Sequence, residues 1–175
     1  SAASDVYKRQ SHDRYKDRVP PDFTGIQVDG HSEKVNDYDS SILYTDDVLK
    51  RIYDYGKDHL NMQAMVYASD HGEDMEYFHG DGKFTWEMAR IPLFVYLSDS
   101  YQKEYPETAK ELALHKDDIF TNDLMYDLVC GILRAPNTGY DAKYDPTSPE
   151  FSFTKDQATT RYGDCLLYTS PSPRD

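Results

Sequence analysis

The chain has 175 residues, with 19 Lys and Arg against 32 Asp and Glu and a formal net charge of −13. An acidic excess of that size repels polyanions and so excludes nucleic acid and anionic membrane surfaces as direct partners. A phosphate-bearing substrate stays admissible where a metal ion reverses the local sign. Two cysteines make no disulfide framework, and the apolar run Ile91–Leu97 falls far short of the about 20 residues a membrane-spanning helix needs.

Taken in chain order, the first ten residues are set aside. Asp5–Gln10 (DVYKRQ) and Cys165–Ser170 (CLLYTS) can be encoded by the two strands of one short DNA, an inverted repeat of the kind a transposase-inserted sequencing adapter leaves at both edges of an insert. Residues 1–10 and 165–175 are therefore read as translated adapter. Ser11–Asp164 is expected to be a native stretch cut at both ends by library fragmentation, with Cys130 as its one thiol.

Ser11–Phe23 is polar, and Pro20-Pro21 ends any regular element there, so it reads as a loop. From Asp39 to about His59, Ile42, Leu43, Leu49, Ile52, Tyr53 and Gly56 recur at helical spacing, which predicts one long amphipathic helix with Asp46, Asp47, Lys50, Lys57 and Asp58 in solvent. Gln63–Ser69 predicts a short strand of a covered sheet, and Arg90–Leu97 a second buried strand with its proline near the start. Tyr101–Leu114 predicts helix, broken or begun at Pro106. Thr121 can cap a further helix with an apolar stripe of Leu124, Met125, Leu128, Val129, Ile132 and Leu133. Beyond Ala135 the Pro, Gly, Asn, Asp and Ser content rises, and residues 136–164 read as an irregular tail of the domain formed by 11–135. Alternating helix and strand predicts an α/β fold, a sheet with helices on its faces.

The chemistry concentrates in Ala64–Gly80 (AMVYASDHGEDMEYFHG). An apolar run stops at Asp70-His71, Gly72 permits a sharp turn, and His79 follows. Asp70 offers a hard oxygen and His71 an imidazole nitrogen, a pair suited to zinc or a similar divalent ion. Taken without context, the pair could equally be a turn-capping Asp and a structural His, and His12 and His79 could be loop histidines. Glu73, Asp74 and Glu76 read as a solvated acidic loop, and His31, His59 and His115 as surface residues. Asp46-Asp47 reads as a solvated helix face, and Phe84 with Trp86 as a candidate apolar wall beside a substrate.

Four motifs occur in one order: SHDRYKDRVP at Ser11–Pro20, YDSSILYTDD at Tyr38–Asp47, YASDHGED at Tyr67–Asp74, and His79-Gly80. In this the chain resembles the C-terminal part of the catalytic domain of phosphoethanolamine transferases, in the alkaline phosphatase and sulfatase superfamily. The resemblance implies an alkaline-phosphatase-like sheet with helices on both faces, present as a partial domain. It implies Asp70 and His71 as metal ligands, His12 and His79 on the substrate side, and zinc as the cofactor. It further implies a threonine nucleophile and a glutamate ligand N-terminal to Ser11, so that the segment by itself is inactive. Double displacement would move phosphoethanolamine from a phospholipid donor to a cell-envelope glycan or lipid acceptor, at the extracytoplasmic (periplasmic) face of the bacterial inner membrane, with the parent protein membrane-anchored. Two other readings stand beside it. One is a sulfatase or phosphoglycerol transferase of the same superfamily, using calcium or manganese; the other is a non-catalytic envelope domain.

Overall fold

The computed structural model describes residues 30, 32–77 and 84–159. His12, His31 and His79, the segment 11–23 expected to be a loop, and the terminal segments 1–10 and 165–175 expected to be translated adapter lie outside the described residues. The chain divides into two compact units, one of residues 1–62 with 73–83 and the other of 63–72 with 84–175.

The first unit is built on helix α1, Glu33–Leu60, which begins six residues before the predicted Asp39. Ser32 caps it with its side chain, which accepts from the Val35 amide. The polar run Asn36–Thr45 stays helical because its hydroxyls bond inside the helix: Ser40 donates to the Asn36 carbonyl at 2.8 Å and Thr45 to that of Ser41 at 2.9 Å. Asn61, at φ 49°, ends the helix in the left-handed region, and the Met62 amide returns to the Gly56 carbonyl at 3.0 Å. Gly56 is buried and Leu49 and Tyr53 half-buried, but Ile42 and Ile52 are exposed, as is Leu60. The predicted apolar stripe is therefore only partly covered by the described residues. Asp47 forms an ion pair with Arg51 at 2.8 Å, and Lys50 pairs with Asp54.

The second unit holds β1 (Ala64–Ala68) and β2 (Leu93–Leu97), close to the predicted spans. They pair antiparallel, Ala64 opposite Leu97 and Ala68 opposite Leu93, and make a two-stranded sheet among the described residues. The strands were expected to be covered, yet every β1 residue is half-buried and Phe94 of β2 is exposed. The opposed Tyr67 and Phe94 rings stack at 5.2 Å.

A short helix, α2 (Trp86–Ala89), precedes β2, in a stretch with no predicted element. Pro106 acts as expected: α3 (Asp99–Glu104) ends before it, and α4 (Pro106–Leu114) starts on it. Thr121 does not cap a helix with its hydroxyl. A 3-10 turn, Asn122–Leu124, intervenes before α5 (Met125–Leu133), and the Thr121 hydroxyl is buried without a hydrogen-bond partner. Tyr101, Leu128 and Ile132 form the core, packed by Val66, Val95, Leu97, Leu112 and Phe120. Leu133, expected in the α5 stripe, is exposed, and Asp127 is buried instead.

The tail carries no strand or α-helix over its described part, yet it packs on α5 and is tied together by one carboxylate. Asp145, 1% exposed, accepts from the Thr147 amide (2.8 Å), the Thr147 hydroxyl (2.8 Å) and the Tyr140 hydroxyl (2.7 Å). Asp127 on α5 accepts from the Asp141 amide at 2.8 Å. A Cβ on Gly131 would stand 2.0 Å from Asp145 Oδ2, so the tail can approach only a glycine. Gly131→Ala is expected to destabilise the second unit by about 1–3 kcal/mol, read from chemical denaturation. Burial, followed by the bond to Asp145, raises the Tyr140 phenol pKa above the ordinary tyrosine range. A raised folded pKa favours the folded state below the unfolded value and loses that contribution as pH climbs. The melting temperature should therefore fall as pH passes about 10, and Tyr140→Phe should flatten that fall.

Candidate functional site

β1 delivers the chain to Asp70 and His71, and the turn that follows is fixed mainly by the backbone. The Ser69 amide donates to the Pro92 carbonyl at 3.3 Å, and the Ser69 hydroxyl to the His71 carbonyl at 2.8 Å. Asp70 Oδ1 accepts from the His71 amide at 3.1 Å. His71 Nδ1 lies 2.6 Å from the Gly72 carbonyl oxygen. A carbonyl can only accept, so Nδ1 carries the proton and Nε2 is the lone-pair nitrogen of the neutral ring. Metal-bound histidines are set in this way, the far nitrogen donating to a carbonyl or carboxylate.

Nε2 stands 3.9 Å from Asp70 Oδ2. That gap is too wide for a hydrogen bond, and the pair would have to close to about 3.4 Å to share one tetrahedral cation through bonds of about 2.0–2.2 Å. The donor chemistry, one carboxylate oxygen and one imidazole nitrogen, fits zinc. The Asp70 side chain is about half exposed and that of His71 a quarter exposed, so the pair is reachable from solvent. Two donors are half of a four-coordinate shell. Among the described residues, no group of three or more His, Cys, Asp and Glu side chains is placed to hold a metal. His12 and His79 lie outside them, so their convergence on Asp70 and His71 remains an expectation.

Gly72 anchors the turn to α2. Its amide donates to the Met88 carbonyl at 2.8 Å, and a Cβ in its place would stand 2.1 Å from the Glu87 carbonyl oxygen and 2.3 Å from that of Arg90. The glycine is required by this close backbone approach, not by a left-handed backbone conformation, since its φ is not positive. A second anchor is Asn122, whose side-chain amide donates to the Asp70 carbonyl at 3.0 Å. Nothing around Asn122 in the sequence marks it, because its partner is 52 residues away.

Other candidates fall elsewhere. Asp74, expected in a solvated loop, is 7% exposed and accepts from the Glu76 (2.8 Å) and Tyr77 (2.9 Å) amides, so it shapes its own turn; Glu76 is exposed, as expected. His115, expected at the surface, is largely covered: it bonds Asp118 at 2.6 Å and its ring meets Phe151 at 4.7 Å. It lines a cavity of about 800 Å³ beside β2 and α4 whose lining includes neither Asp70 nor His71. His59 is exposed, as expected, against Tyr55. Phe84 and Trp86 meet edge to face at 5.3 Å.

The sulfatase family model matches residues 6–128, and the chain belongs to that family. It is 26% identical over 156 residues to the phosphoethanolamine transferase EptA of Salmonella typhimurium, covering 77% of this chain and 28% of that protein. It is 31% identical over 110 residues to the Escherichia coli phosphatidylethanolamine transferase Mcr-2, covering 58% of this chain and 20% of that one. The chain thus spans about a quarter of the length of these curated relatives. Among solved structures, the C-terminal periplasmic domain of phosphoethanolamine transferase EptC from Campylobacter jejuni superposes with a TM-score of 0.62 at 23% identity, over 79% of this chain and 48% of that domain. This likeness shows the fold, a partial alkaline-phosphatase-like α/β domain.

Gly72→Ala is expected to destabilise the second unit by about 1–3 kcal/mol in denaturant melts. It should also release the His71 ring, seen as a changed imidazole nitrogen resonance.

Proposed function

We propose that this chain is the metal-binding, C-terminal part of the catalytic domain of a phosphoethanolamine transferase that works at the periplasmic face of the inner membrane. In this reading the transferase moves phosphoethanolamine from a phospholipid to an envelope glycan or lipid. The observation that carries the reading is the His71 Nδ1 bond to the Gly72 carbonyl, which turns Nε2 towards Asp70 Oδ2. The names of the relatives support the transferred group, and the periplasmic domains among the solved structures support the compartment.

Asp70 and His71 would hold a zinc ion. Bound there, zinc lowers the pKa of a hydroxyl nucleophile and stabilises charge on phosphoryl oxygens. Asp70 supplies the negative charge that balances the cation. His71, with its Nδ1 turned to the Gly72 carbonyl, would supply Nε2 as the donor nitrogen. His12 and His79 would donate hydrogen bonds to the phosphate oxygens or pass a proton to the departing alcohol. A threonine from the remainder of the domain would carry the phosphoethanolamine between donor and acceptor, and a further acidic ligand from there would complete the zinc shell. The 175-residue chain by itself would then be inactive.

Zinc titration of the chain, read by calorimetry, should give binding that weakens at least tenfold in Asp70→Asn and in His71→Ala. His59→Ala, an exposed control, should match the parent. Equal affinity in all four proteins would remove the metal assignment. The complete protein should add one phosphoethanolamine to a lipid acceptor, read by mass spectrometry, while the 175-residue chain gives no turnover on a phosphodiester. Turnover by the chain, or release of sulfate from a sulfate ester by the complete protein, would contradict the reading.

A further inference from the structure

We infer that Asn122 is a positioning residue for the metal-binding turn, holding the Asp70–His71 peptide in the plane that lets both side chains face one ion. The inference rests on the zinc reading of Asp70 and His71. The Asn122 Nδ2 amide donates to the Asp70 main-chain oxygen at 3.0 Å. That oxygen and the His71 amide belong to one peptide plane, and the same amide donates to Asp70 Oδ1 at 3.1 Å. Fixing the oxygen therefore fixes the direction of the N–H that holds the Asp70 carboxylate, and the position of the His71 Cα.

On its far side, the turn is fixed by the Gly72 amide on Met88 at 2.8 Å. His71 is thus clamped before and after, by Asn122 and by α2. The Asn122 end is well founded: it opens the 3-10 turn Asn122–Leu124, whose Leu124 is 1% exposed and which leads into α5 with the fully buried Leu128. The Asn122 side chain reaches out from this base to a segment 52 residues earlier, and the residue itself is exposed, so it adds little to the core. An exposed asparagine whose amide reaches the backbone of a candidate ligand fits the part of an outer-shell partner, which commonly changes metal affinity by about 10–100-fold.

The test uses the full chain, with Asn122→Ala and the isosteric Asn122→Asp, which cannot donate. In the metal-free proteins, the His71 and Gly72 amides should exchange with deuterium about tenfold faster than in the parent, the loss expected for one hydrogen bond. Zinc titrations should give dissociation constants raised about 10–100-fold in both variants, with melting temperatures of the metal-free proteins close to the parent. Unchanged exchange, or faster exchange with unchanged zinc affinity, would overturn the inference. If Asn122→Ala alone melts early, Asn122→Asp carries the test, and a zinc loss that follows melting in both variants also overturns it. A parent protein whose zinc affinity is indifferent to Asp70→Asn would instead sink the metal reading, while the exchange rates still decide whether Asn122 holds the turn.

Discussion

The bond from His71 Nδ1 to the Gly72 carbonyl, 2.6 Å long, decides the chemistry of the site. Nothing in an imidazole selects one nitrogen as the ligand; a neighbour must take the proton on the other. Here the neighbour is main chain, and its oxygen is placed because Gly72 lies where no side chain fits, against the carbonyls of Glu87 and Arg90. The turn is therefore held on one side by backbone contacts to α2 and on the other by the Asn122 side chain. A short helix of four residues, α2, contributes through its carbonyls rather than through its side chains.

The net charge of −13 then takes on a specific meaning. A phosphate ester approaching an acidic protein meets repulsion everywhere except where a cation outweighs it. In the proposed transferase, the Asp70-His71 pair is such a place. Electrostatics of this kind discriminates by location, admitting an anion at one point of a surface that otherwise turns it away.

How much was legible in the sequence depended on the range of each contact. Local signals were read well: the apolar runs of Ala64–Ala68 and Leu93–Leu97 and the start of α4 at Pro106 depend on neighbours a few positions away. The early start of α1 was missed because residues 33–38 precede Ile42, the first position of the apolar stripe, and are set off only by the Ser32 cap. Asp74 looked like one more acidic loop residue, since a carboxylate that caps its own turn has the same sequence as one in water. Asn122, and the docking of the tail through Asp145, were not legible at all. Asn122 reports on a partner 52 residues away, and Asp145 on a bare surface at Gly131 that only the fold creates.

That last contact says where this protein can be shortened. Asp145 gathers donors from Tyr140 and Thr147 and presses against Gly131, so the stretch beyond α5, for all its lack of regular structure, behaves as part of the body it covers. A boundary drawn at the last residue of α5 would strip the lid from Asp127, whose carboxylate now receives the Asp141 amide, and bare the glycine patch on the helix. The natural edge of the folded unit lies past Thr147 and Ser148, both buried, and an expression boundary set by secondary structure alone would cut through it.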